Sequence, residues 1–64
     1  MSVLEVGDRV VIGPAYCMER RARVIHDEVT GVEGVVTNVT GQFALVETIR
    51  DEYSINVGRL SRSA

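Results

Sequence analysis

Residues 31–60, GVEGVVTNVTGQFALVETIRDEYSINVGRL, contain three short apolar segments, and a turn signal separates each from the next. In the first segment, Val35, Val36 and Val39 are β-branched and lie between two glycines, which is typical of a short, half-buried strand. The pattern therefore predicts a strand here, followed by a tight turn at Gly41.

Two more strands are predicted in the same stretch. Residues 42–49 alternate loosely, but both faces are largely apolar, so the pattern does not decide which face is buried. We expect Phe43 to lie in the core. In residues 53–57 the alternation is clean, with apolar side chains at every second position and polar ones between them. Leu60 then returns one apolar side chain to the core.

An opening strand is predicted upstream, in residues 6–13 (VGDRVVIG). Its alternation places Val10 and Ile12 on the inward face. Pro14 ends it, because proline cannot donate a hydrogen bond to a continuing ladder.

Residues 15–30 allow two interpretations. A helix would place four apolar residues on one face: Met18, Ala22, Ile25 and Val29. However, the arginines would lie near the start of that helix and the carboxylates near its end, which opposes the helix dipole. The alternative is a long hairpin-like loop with alternating side chains, and we favour it.

This order of strands and turns resembles the small SH3-like β-barrels that carry KOW-type segments. Over residues 6–62 the matching positions are Gly7, Asp8, Val10, Gly31, Gly34, Val36 and Leu60. The resemblance implies an all-β fold, a small five-stranded SH3-like barrel. The chain departs from the family pattern in the 17 residues from Pro14 to Thr30, which predict a long loop after the first strand, with one helical turn as the alternative.

Size and composition predict one domain, residues 1–64, with flexible ends at 1–5 and 61–64. No apolar run approaches the roughly 20 residues of a membrane span, and the N-terminus lacks the pattern of a secretory signal. The single cysteine, Cys17, excludes an intramolecular disulfide. We therefore expect a cytoplasmic protein that does not contact a membrane.

No group of residues predicts an enzyme. His26 with Asp27 and Glu28 is a weak candidate for a metal site, because adjacent side chains on an extended segment point to opposite faces. A nucleophilic pair of Cys17 and His26 would need a formed pocket, which so small a barrel rarely offers. We expect no catalytic residue, no metal and no cofactor.

Binding is the predicted role. Tyrosines are favoured anchors at protein interfaces, and arginines suit acidic partners or nucleic acid. The candidate residues are Tyr16, Arg20, Arg21, Arg23, Tyr53, Arg59 and Arg62.

The first hypothesis is a protein-binding or assembly module that uses the loop 14–30, because a long connection on a rigid scaffold is a common place for function. The second is a KOW-like protein that binds RNA or DNA through the arginines, although the formal net charge of −2 gives no long-range attraction to a polyanion. The third is a small structural subunit of a homo-oligomeric assembly, such as a phage particle, in which strand edges pair between copies.

Overall fold

The computed structural model describes residues 4–17 and 23–63. This part of the chain forms seven β-strands and a 3₁₀ helix: β1 Arg9–Ile12, β2 Ala15–Cys17, β3 Arg23–Ile25, β4 Glu33–Thr40, β5 Phe43–Thr48, β6 Glu52–Asn56, the 3₁₀ helix Val57–Arg59, and β7 Leu60–Arg62. The predicted all-β class is confirmed.

Five strands form one antiparallel sheet in the order β6-β5-β4-β1-β7. The strands β2 and β3 pair separately as a two-stranded hairpin. Because β6 and β7 are the edges of the larger sheet, its hydrogen-bonded ladder stays open in the described residues and does not show the closed five-stranded barrel that we expected.

The core lies on one face of the five-stranded sheet. Val10 and Ile12 are fully buried, as predicted from the alternation of β1. The other buried hydrophobic residues lie in β4, β5 and β6: Val36, Ala44, Val46 and Ile55.

The expectation that Phe43 lies in the core was wrong, since 51% of its surface is exposed. The period of a strand is two residues, so Phe43 must face away from the side that Ala44 and Val46 occupy. Ala44 and Val46 are on the buried face of β5, so the phenyl ring of Phe43 lies on the opposite, exposed face.

A β-bulge in β4 explains how two valines three positions apart both contact the core. The register with β5 shifts between Val36 and Asn38, so Thr37 is the extra residue. Val36 is buried and Val39 packs against the core, although strict alternation would place them on opposite faces. The Thr37 hydroxyl donates to the Leu45 carbonyl at 3.3 Å.

The region from 15 to 30 is not helical where the structure describes it. Residues 15–17 and 23–25 pair as antiparallel strands, which supports the hairpin-like interpretation over the helix. β-branched and aromatic residues such as Tyr16, Val24 and Ile25 favour extended backbone. At the other end of the chain, Ser61 and Arg62, which we expected in a flexible tail, lie in β7.

Candidate functional site

The hairpin β2–β3 exposes apolar side chains on both of its faces. Tyr16 pairs with Val24 and Ala15 pairs with Ile25, so the two pairs point to opposite sides. Tyr16 is 67% exposed, and Val24 and Ile25 are about equally open at 42% and 43%. None of these four residues belongs to the buried core. The hairpin therefore exposes apolar side chains and does not cover the core of the five-stranded sheet.

Arg59 attaches the base of this hairpin to the 3₁₀ helix. Its Nε donates to the carbonyl of Gly13 at 3.0 Å, and its Nη2 donates to both carboxylate oxygens of Asp27 at 2.9 and 3.1 Å. Gly13 precedes β2 and Asp27 follows β3, so one side chain holds the point where the hairpin leaves the sheet and the point where it returns. The Arg59 side chain is only 18% exposed.

Asp27 is held by a second partner. The Thr30 hydroxyl donates to Asp27 Oδ1 at 2.9 Å, and the Asp27 N–H donates to Thr30 Oγ1 at 3.0 Å. The hydrogen bond from Arg59 and then the one from Thr30 lower the pKa of the Asp27 carboxyl below its usual value. The carboxylate is therefore in its charged form at neutral pH and keeps Arg59 in place.

An open groove of about 320 Å³ lies between the hairpin and the 3₁₀ helix. Its lining comes from β2 and the residue before it, and from the segment that holds the 3₁₀ helix: Pro14, Ala15, Tyr16, Asn56, Gly58 and Arg59. Asn56 caps the 3₁₀ helix, because its Oδ1 accepts the Gly58 N–H at 2.9 Å. One wall of the groove is thus fixed by hydrogen bonds, and the other is formed by the exposed hairpin.

No family model, curated protein or solved structure matches the chain. The resemblance to KOW-type SH3-like barrels stays a prediction. In the described part of the chain, no helix is long and apolar enough to cross a membrane. Over the same residues, no three His, Cys, Asp or Glu side chains are grouped so that they could hold a metal ion.

The structure brings two of the predicted binding residues, Tyr16 and Arg59, to the same groove. Tyr53 lies instead on β6 and is half-buried against the core. Arg23 begins β3 and is exposed. Arg20 and Arg21 lie outside the described residues.

The two C-terminal arginines among the candidate binding residues, Arg59 and Arg62, each contact a carboxylate. Arg62 lies on β7 with its Nη2 3.2 Å from Asp8 Oδ2, and Arg59 binds Asp27. Sequence reasoning missed the contribution of Asn56 and Gly58 to the groove. The available signal was an asparagine two positions before a glycine, which is typical of a side chain that caps a turn.

Proposed function

We propose that the chain is a non-enzymatic protein-binding module, and that the contact surface is the hairpin β2–β3 together with the groove beside it. The observation that carries this proposal is the exposure of Tyr16, Val24 and Ile25 on the paired strands β2 and β3, outside the core. A two-stranded hairpin by itself is at best marginally stable in water. A protein surface that covers its apolar side chains would supply the missing burial.

The geometry favours Tyr16 as the anchor of that contact. Its ring is largely exposed and borders the groove, where a partner side chain can pack against it. Burying apolar surface yields about 25 cal/mol per Å², and tyrosine brings a large area with little conformational entropy to lose. The attachment of the hairpin base by Arg59 further reduces the ordering cost on binding, since the two ends of the hairpin are already fixed.

The finer fold assignment, an SH3-like barrel, is part of the same proposal. It is supported by the antiparallel order β6-β5-β4-β1-β7, by the hairpin inserted between β1 and β4, and by the 3₁₀ helix between β6 and β7. The bulged β4 pairs with both β1 and β5, and a bulge bends its strand, which would curve the sheet toward closure.

Nucleic-acid binding is the weaker alternative. Each of the two predicted C-terminal arginines already contacts a carboxylate, Arg59 at Asp27 and Arg62 at Asp8, which reduces the positive potential that a phosphate backbone would meet. We propose no further role for these two side chains in phosphate binding.

A site-specific photo-crosslinking experiment tests the proposal. A photoreactive phenylalanine analogue replaces Tyr16 in one sample and Ile49 in the control, and each full-length chain is irradiated in an extract of its native host. Ile49 is 98% exposed and lies beyond β5, at the end of that strand away from the groove. We expect a discrete crosslinked protein from position 16 that is absent from position 49.

A competing measurement separates the two classes of partner. Retention of the wild-type chain on single-stranded RNA or DNA at about 50 mM salt, with loss on changing Arg23 to Ala, would favour the nucleic-acid alternative. Equal crosslinking from both positions, or none from position 16, would contradict the protein-binding proposal.

A further inference from the structure

The strand β6 is an edge of the five-stranded sheet that carries few of the usual protections. In the described residues its sole ladder partner is β5. Natural edge strands are commonly blocked by proline, lysine, a bulge or an inward-pointing charge. The sequence of β6, EYSIN, has none of these, since its one charged side chain, Glu52, is exposed at the end of the strand.

The backbone groups of Ser54 point away from the sheet. The pairs Gln42/Val57 and Thr48/Asp51 at the two ends of the β5–β6 ladder carry backbone hydrogen bonds. Hydrogen-bonded and non-hydrogen-bonded pairs alternate in an antiparallel ladder, so Leu45/Ser54 is a non-hydrogen-bonded pair. The N–H and C=O of Ser54 therefore face the open side of β6, where a further strand would bind.

We propose that β6 pairs with β6 of a second copy of this chain, antiparallel and centred on Ser54, to make a two-fold symmetric dimer with a continuous sheet. In this register the two Ser54 residues exchange two backbone hydrogen bonds across the axis. Each Asn56 N–H also meets the Glu52 carbonyl of the other copy. The Glu52 N–H stays with Asp51 Oδ1, to which it donates at 2.8 Å.

The side chains of β6 are compatible with their own copies in this register. On the exposed face Glu52 lies opposite Asn56 of the other copy, so a carboxylate meets an amide and not a second carboxylate. On the core face Tyr53 lies opposite Ile55 of the other copy, an aromatic and β-branched pair of the kind that stabilises sheets. Pairing of β6 with its own copy thus places no two charges of the same sign opposite each other.

The second edge of the sheet is less suited to the same pairing. The strand β7 has three residues, Leu60–Arg62, against five in β6. Centring a self-paired β7 on Arg62 would place two guanidinium groups opposite each other, which is destabilising. The proposal therefore assigns the dimer contact to β6 alone. Asn56 at the end of β6 also lines the groove beside the hairpin, but Ser54 at the centre of the proposed contact does not, so variants at Ser54 test the dimer separately from the protein-binding proposal.

A five-residue ladder gives a small contact, so we expect a weak dimer whose population changes with protein concentration. Backbone amide exchange is measured by NMR on the full chain between about 10 µM and about 1 mM, together with the mass in solution by sedimentation. The Ser54 amide should become protected as the dimer forms. A wild-type chain that stays monomeric across this range would overturn the proposal.

Disulfide trapping tests the register. In a chain with Cys17 changed to Ser, the variant Ser54→Cys places two thiols opposite each other at the axis, within the Cα separation of about 4.4–6.8 Å that a disulfide spans. The control is Ser61→Cys in the same background, an exposed serine on the other edge strand. Mild oxidation should give a covalent dimer from position 54 and much less from position 61. Equal trapping at both positions would contradict the assigned register.

Two variants at Ser54 complete the test. Ser54→Pro removes the N–H that donates across the axis, and Ser54→Lys brings two ammonium groups together; each should raise the dissociation constant by about tenfold or more. Neither changes a group that β6 uses to bind β5, so circular dichroism should report a folded sheet. A dimer that both variants leave unweakened would exclude β6 as the contact.

Discussion

The guanidinium of Arg59 binds the carboxylate of Asp27, 32 positions earlier in the chain, while its Nε binds the carbonyl of Gly13. One residue thus joins the two ends of the hairpin to the 3₁₀ helix. Because the two contacts use two different nitrogens of a planar group, a lysine could replace one of them but not both.

We predict that Arg59→Lys loosens the hairpin without unfolding the sheet. Loss of the bond to the Gly13 carbonyl should lower the free energy of unfolding by about 1–2 kcal/mol, because that carbonyl loses its charged donor. Amide exchange in β2 and β3 should accelerate more than in β4 and β5. The matched control is Arg50→Lys, on the exposed turn after β5, which should change neither quantity. Uniform acceleration across all strands would contradict the assigned role.

Acid should release the same contact. The pKa of Asp27 is lowered in the folded chain, chiefly by Arg59, so its contribution to stability is present above the unfolded value near 3.9 and is lost as the pH falls through the folded pKa. We predict that the free energy of unfolding in urea decreases as the pH is lowered from 5. The decrease should be smaller for Asp27→Asn than for the wild-type chain. Glu28→Gln, its exposed neighbour, is the control and should keep the wild-type profile. High salt should weaken the effect, because Asp27 is exposed.

The strands β1, β4, β5 and β6 could be predicted from alternation and turn residues, whereas β7 falls in the tail that we expected to be flexible. Two further features depended on contacts distant in sequence. Residues 43–48 are apolar on both faces, so the face that packs on β1 and β4 is decided by the assembled sheet, and Phe43 was misassigned for this reason. The groove depends on Arg59 reaching Asp27, and no local pattern encodes a contact between residues so far apart. Tyr16, one of the predicted binding residues, lines this groove, and its role in binding stays a prediction.

The core is predicted to tolerate little change in volume. Ile12→Val removes one methylene group from a fully buried site and should cost about 0.5–1.5 kcal/mol of unfolding free energy. The same change at Ile49, which is 98% exposed, should cost less than about 0.5 kcal/mol. Chemical denaturation of the two variants measures the difference. Equal costs would mean that Ile12 is not packed as described.

Gly34 is predicted to be essential for the spacing of β4 and β5. A Cβ at this position would lie 2.5 Å from Val46 Cγ1 and 2.7 Å from the Glu47 carbonyl oxygen, so alanine forces the strands apart. Gly34→Ala should destabilise the fold by about 1–3 kcal/mol. Asn38→Ala, at an exposed position of the same strand, is the control in thermal unfolding. An unchanged melting temperature for Gly34→Ala would contradict the close approach.

The bulge at Thr37 has a consequence for how this sequence can change over evolution. Because the extra residue shifts the inward positions of β4 from Val36 to Val39, deleting or inserting one residue there would exchange core and surface for half of the strand. Among descendants of this chain, insertions and deletions should therefore be rare near residue 37. They should be more frequent in the hairpin, where no described side chain belongs to the core.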